Sequence, residues 1–352
     1  MSELVPLTPL TIDRNSDITE RLRQFVQDKE AFSPNTWRQL LSVMRICNRW
    51  SEDNQRSFLP MSADDLRDYL SFLAESGRAS STITSHAALI SMLHRNAGLP
   101  VPNVSPLVFR TMKKINRVAV INGERAGQAV PFRLSDLLAL DKEWSCSDNL
   151  QGLRDLAFLH VAYATLLRIS ELARLRVRDV MRAGDGRIIL DVAWTKTIVQ
   201  TGGLIKALST GSTQRLEEWI EASGISSQPD AWLFTAVHRS GRPLIAEKPM
   251  STRSLEQIFS RAWRTAGKEG AVKANKNRYT GWSGHSARVG AAQDMADKGY
   301  PIARIMQEGT WKKPETVMRY IRHVEAHKGA MVEFMEQYGD PIILTDGLLK
   351  RR

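Results

Sequence analysis

The sequence predicts a mainly α-helical protein of two domains: a helical N-terminal one, and an α-rich C-terminal one carrying a small β-hairpin or sheet. Three observations carry this. The 352-residue length suits roughly two domains of ordinary size. Capping residues and apolar positions at helical spacing recur through the first third of the chain, with no convincing strand before residue 120. Later, RIILDVAW follows the turn signal Gly184-Asp185-Gly186 and alternates with β-branched residues, the one clear β-hairpin region of the chain.

Taken in order, residues 1–18 are mixed, contain Pro6 and Pro9, and read as a mobile tail. Ser33-Pro34 offers an N-cap and a proline at the first helical position ahead of NTWRQLLSVMRICNRW. Ser62 with Asp64 and Asp65 opens a helix bearing Leu66, Tyr69, Leu70 and Leu73, closed by Gly77. Ser80 and Ser81 start STITSHAALISMLHRN, which Gly98-Leu99-Pro100 ends, and a further helix fits 104–117. The expected domain boundaries are a helical domain over 19–122, a linker over 123–130, a second domain over 131–340 and an extension over 341–352. Within the second domain, helical patterns run over 134–141 and 150–180. Then comes the strand region, broken at Thr195-Lys196-Thr197. Helices resume at 211–223, 251–267, 286–298, 301–308 and 314–322.

Composition excludes several classes. Hydrophobic residues at 42% and charged ones at 25% are globular values. Two cysteines, Cys47 and Cys146, make neither a disulfide framework nor a metal site and fit a reducing compartment, cytosolic or nuclear, with the cytoplasm expected. No apolar run approaches the about 18 residues of a membrane span, and the N-terminus lacks the layout of a signal peptide. The 49 Lys and Arg against 38 Asp and Glu leave +11, which admits a polyanionic partner without proving one. Arg110, Lys113, Lys114, Arg117, Arg125 and Arg133 stand against Glu124 alone in 105–133, as a backbone-contacting segment or a solvated helix end.

There is no GxxxxGK[ST], HExxH or GxSxG motif and no evident two-metal cluster, so chemistry on phosphate would rest on cationic side chains. Three stretches stand out. In TLLRISEL, Arg168 and Glu171 lie three apart on one helical face, by default a surface ion pair. In GHSAR, His285 and Arg288 share a face among small residues; alone, such a histidine is usually structural. Gly309-Thr310-Trp311 is followed by Tyr320 in ETVMRYIRH, and most tyrosines are half-buried amphipathic residues.

Their order is more specific than any part. Arg168, Lys196 in the hairpin turn, His285-x-x-Arg288, Trp311 and Tyr320 together resemble the tyrosine site-specific recombinase (integrase) family, and the resemblance covers nearly the whole chain. It implies a SAM-like core-binding domain and a recombinase catalytic fold, closing as a two-domain clamp on a DNA half-site. It implies strand cleavage by a tyrosine hydroxyl, with a 3′-phosphotyrosine and a free 5′-hydroxyl, then rejoining through a Holliday junction. The residue chemistry suits this. Arg168 and Arg288 present paired donors to the non-bridging oxygens. The Trp311 indole donates, and His285 donates or manages the nucleophile's proton. Lys196 is the general acid, Tyr320 the nucleophile, and Glu171 orients Arg168 or His285. No metal or other cofactor is needed.

Base-reading candidates are Arg38 and Gln39, then Thr82, Ser85 and His86, and Arg253 in STRSLEQIF, where arginine to guanine would be the commonest specific contact. Ser81 stands where a relative in the family carries lysine near the cleavage site. Arg110, Lys113, Lys114 and Arg117 would hold the backbone. Expected partners are double-stranded DNA with inverted repeats and further copies of the chain, two per site and four in synapsis, through a C-terminal helix at 329–339. A type IB topoisomerase-like enzyme and a non-catalytic DNA-binding regulator on the same fold stay open.

Overall fold

The computed structural model describes residues 14–124, 127–146, 149–193, 203–270, 280–327 and 330–338. The chain divides into two compact units, Met1–Ala126 and Gly127–Arg352.

The first unit is helical: α1 Arg14–Gln27, α2 Pro34–Asp53, α3 Ala63–Glu75, α4 Ser80–Asn96 and α5 Pro106–Ile121. The starts follow the sequence signals. Ser33 Oγ accepts from Thr36 N at 3.1 Å, and Ser62 Oγ from Asp65 N at 3.0 Å; each such cap contributes about 1 kcal/mol. Leu40, Val43 and Cys47 of α2, Leu66, Tyr69, Leu70 and Leu73 of α3, and Ile83, Ala87, Ile90 and Leu93 of α4 form one core. Burial pushes the Cys47 thiol up to about 12, so it behaves as a small hydrophobe. Of the stretch expected as a tail over 1–18, residues 14–18 belong to α1, and 1–13 lie outside the described residues.

The second unit contains α6 Leu134–Trp144, α7 Leu150–Thr165, a single turn α8 Ile169–Leu172, strands β1 Val180–Arg182, β2 Ile188–Val192 and β3 Leu204–Ala207, α9 Thr210–Ser223, strands β4 Ala236–Val237 and β5 Pro243–Leu244, then α10 Thr252–Thr265, α11 Ser286–Asp297, α12 Ile302–Gly309, α13 Pro314–His327 and α14 Ala330–Tyr338. Mostly helical with a small antiparallel sheet, it matches the predicted class.

Three details differ from the expectation. The helix expected over 150–180 stops at Thr165, where Leu166 turns left-handed at φ 53°, and β1 pairs across the Gly184-Asp185-Gly186 turn with β2. The hairpin is therefore part of a three-stranded sheet, β1-β2-β3, with Val180 opposite Leu190 and Ile189 opposite Ala207. The β4–β5 ribbon was not expected, since two-residue strands carry no alternation to read. The 194–202 segment, with Trp194, Thr195, Lys196 and Thr197, lies outside the described residues, as do 341–352.

Phe132 anchors this unit's main core. Its ring meets Trp282 edge-on at 4.7 Å and Phe259 at 6.0 Å. Gly290 of α11 faces the Phe132 backbone, and a Cβ there would stand 1.7 Å from its carbonyl oxygen. A smaller core of Leu166, Ala291, Ala292, Ile305, Trp311, Val317 and Ile321 joins α11, α12 and α13 around the end of α7. Among the described residues no helix is long and apolar enough to cross a membrane, and no group of three or more His, Cys, Asp and Glu could hold a metal.

Candidate active site

The site lies where α7, α8, α11, α12 and α13 meet. Leu166 ends α7, and its left-handed backbone turns the chain so that Leu167 and Arg168 run out before α8 begins. Arg168 is thus the N-cap of α8 rather than a residue on a helical face beside Glu171. The Glu171 carboxylate accepts from Arg168 N at 2.8 Å and from Arg168 Nη1 at 2.9 Å. Glu171 is almost wholly buried, while the Arg168 side chain keeps 23% of its exposure. A buried carboxylate holding one edge of a half-exposed guanidinium leaves the other donors for an anion.

Arg288 is on the first turn of α11 and is 3% exposed. Its Nη1 donates to the Leu166 carbonyl and its Nη2 to the Gly309 carbonyl at 2.9 Å. Leu166 caps the C-terminus of α7, and Gly309 is the last residue of α12. Carbonyls at helix C-termini lack intrahelical partners and carry the negative end of the helix dipole. Two of them converge on this one cation. Burial, and secondly the charge of Arg168, lower the Arg288 pKa to about 10. It therefore stays charged at neutral pH, and two guanidiniums share one small region.

Trp311 follows Thr310, a left-handed residue at φ 52°. The indole is buried, 4.8 Å below the central carbon of Arg288, and meets the Tyr320 ring at 5.6 Å and 63°. A Cβ on Gly309 would stand 2.1 Å from the indole, so only glycine fits. Next to it, buried Lys206 of β3 donates to the Glu308 carbonyl and, at 3.1 Å, to its carboxylate. Tyr320 is half-buried on α13, and His285 is exposed at the N-cap of α11. The structure thus brings Arg168, Glu171, Arg288, Trp311 and Tyr320 together, with His285 three residues from Arg288. Such a set can hold a phosphodiester by its non-bridging oxygens beside a tyrosine hydroxyl. The carbonyls of Leu166 and Gly309, and Lys206, were not read from the sequence. No side-chain motif marks a carbonyl partner or a left-handed Leu or Thr.

The nucleic-acid candidates separate by burial. Arg38 and Gln39 of α2, Ser81, Thr82 and Ser85 of α4, and Arg253 of α10 are exposed, as are Arg110, Lys113, Lys114 and Arg117 along α5. His86 is not an exposed reader. It is 6% exposed and bonds Tyr69 Oη through Nδ1 at 2.7 Å, on the same face as Ile83, Ala87 and Ile90.

The phage integrase family matches residues 131–327, and the chain belongs to it. It is 43% identical to the recombinase cre of Escherichia phage P1 over 332 residues, 94% of this chain and 96% of that one. It is accordingly a tyrosine recombinase, an enzyme of site-specific DNA recombination. Solved structures share the fold, among them the following two. The Tn1549 transposon integrase in complex with circular intermediate DNA has a TM-score of 0.59 at 16% identity, over 86% of this chain and 94% of that one. XerH site-specific recombinase bound to palindromic difH substrate has a TM-score of 0.56 at 12% identity, over 93% and 99%.

Proposed function

We propose that the enzyme cleaves and rejoins DNA strands at an inverted-repeat target through a 3′-phosphotyrosine on Tyr320. The Tyr320 hydroxyl oxygen attacks phosphorus, the bond to the 5′-oxygen breaks, and that oxygen takes a proton from Lys196. His285 donates to the phosphate or takes the tyrosine's proton. Arg168 and Arg288 neutralise the non-bridging oxygens, Trp311 adds an N–H, and Glu171 fixes Arg168. A second round on the partner strand exchanges strands through a Holliday junction. The chemistry needs no metal or ATP, because the protein supplies the positive charge.

The observation that carries this reading is Arg288, held charged and buried between the Leu166 and Gly309 carbonyls and against Trp311, which itself meets Tyr320. DNA is read by Arg38, Gln39, Ser81, Thr82, Ser85 and Arg253 and gripped by Arg110, Lys113, Lys114 and Arg117, all exposed. The units Met1–Ala126 and Gly127–Arg352 act as the core-binding and catalytic domains. Two copies occupy one site and four form the synapse, joined through the segment 329–339, which contains α14. Within it, Met331, Val332, Phe334, Met335 and Tyr338 of α14 are exposed, which supports docking on a neighbouring copy. The enzyme works in the cytoplasm on nucleoid DNA. The test is incubation with nicked suicide duplexes that carry a candidate inverted repeat. The parent chain accumulates a protein–DNA adduct, while Tyr320→Phe binds equally well and forms none. An adduct from Tyr320→Phe would remove Tyr320 as the nucleophile.

A further inference from the structure

The backbone carbonyl of Tyr320 is held by two side-chain amides from distant parts of the second unit. Gln293 Nε2 of α11 donates to it at 2.9 Å, and Gln128 Nε2 at 3.2 Å. Tyr320 lies in the middle of α13, where a carbonyl ordinarily has one helical N–H partner. Drawing in further donors fixes the rotation of α13 about its axis at the residue that carries the hydroxyl.

The direction of each amide is set by chemistry. Gln293 is 6% exposed, and its Oε1 accepts from Arg133 Nη1 at 3.1 Å. A guanidinium only donates, so the amide oxygen must face Arg133 and the NH₂ must face Tyr320. Arg133 is fixed in turn by Asp294 at 2.7 Å and by Asp297, and Tyr163 Oη donates to Asp294 at 2.6 Å. Gln128 Oε1 is buried with no partner among the described residues. An apolar side chain would avoid that cost. What the amide gains in return is the bond of its Nε2 to Tyr320. Gln128 is also the second residue of the unit that begins at Gly127, so the segment entering the catalytic unit is tied to the nucleophile's helix.

We infer that Gln293 and Gln128 are positioning residues for the nucleophile, acting through the Tyr320 carbonyl. The inference rests on Tyr320 being the nucleophile.

The test uses the full chain and the nicked suicide duplex at saturating DNA, with the parent and Tyr320→Phe alongside. Gln293→Glu keeps the shape and the Arg133 acceptor but loses the donor. Its adduct formation falls about 10- to 100-fold, the scale of a small misplacement of a reacting group, while DNA affinity stays within about twofold. Gln128→Leu, at a half-buried position, falls in the same sense and serves if Gln293→Glu does not fold. 3-Fluorotyrosine placed at 320 reports position directly. Its ¹⁹F resonance is single in the parent and broadened or split in both variants, which a loss of global stability alone would not produce. Parent-like rates with a single resonance in a folded variant overturn the inference and leave the nucleophile intact. An adduct from Tyr320→Phe, or none from the parent, overturns both.

Discussion

Arg288 donates through Nη2 to the carbonyl of Gly309 at 2.9 Å, while Trp311, two residues further on, lies 4.8 Å from its central carbon. One cation therefore closes the ends of α7 and α12. A lysine has three donors on a single nitrogen and lacks the planar fork by which Nη1 and Nη2 reach the two carbonyls separately. Arg288→Lys should lose about 10²- to 10³-fold in adduct formation, with DNA affinity changed only severalfold. Single-turnover cleavage at saturating DNA measures it, and a loss under fivefold contradicts the assignment.

Gly309→Ala sets a Cβ 2.1 Å from the Trp311 ring. Overpacking of this kind costs about 1–3 kcal/mol, and moving the indole also disturbs its contacts with Arg288 and Tyr320. Melting temperature and cleavage should fall together. Gly211→Ala in α9, where nothing lies within 4 Å, is the control and should melt at or above the parent.

Burial lowers the pKa of His86 and of His94, both in the first core. Unfolded, each titrates near its ordinary value of about 6.5. Below that value the unfolded chain binds more protons than the folded one, so this stability is present above about pH 6.5 and is lost as pH falls. The urea midpoint should drop between pH 7 and pH 5. His86→Asn should flatten that dependence by up to about 1.4 kcal/mol per pH unit at the steepest. An unchanged slope in a folded variant would show that His86 does not titrate this way.

Arg110, Lys113, Lys114 and Arg117 line the exposed length of α5. If each neutralises one phosphate, replacing all four by alanine lowers the slope of log K against log salt by about 3 to 4. Competition with nonspecific duplex at several salt concentrations reads this out, and an unaltered slope places the grip elsewhere.

Much of the site was legible because its residue types carry the chemistry. Arg168, His285, Arg288, Trp311 and Tyr320 lie in short stretches that stand out, and it is their order, through its resemblance to the tyrosine recombinase family, that assigns them to one site. What holds them was not legible. TLLRISEL is all helix-compatible residues with no glycine or proline, so nothing local announced the left-handed Leu166. That turn is paired with Arg288, 122 residues away. Thr310 is left-handed too, beside Gly309, whose carbonyl Arg288 also holds. His86 illustrates a readable signal passed over: its spacing from Ile83, Ala87 and Ile90 places it on the apolar face of α4, where Tyr69 satisfies it. Gln128 and Gln293 carry no motif, and their role depends on a carbonyl that every residue possesses.

The most direct test is the identity of the covalent link. After trapping on a nicked duplex with the inverted repeat, the adduct is digested with protease and nuclease and sequenced by mass spectrometry. The peptide containing MRYIR should carry a nucleotide on Tyr320 through its 3′-phosphate, and the released strand should have a 5′-hydroxyl that a kinase can label. Linkage through a 5′-phosphate, or to any other residue, would contradict the assignment of Tyr320 and the chemistry built around it.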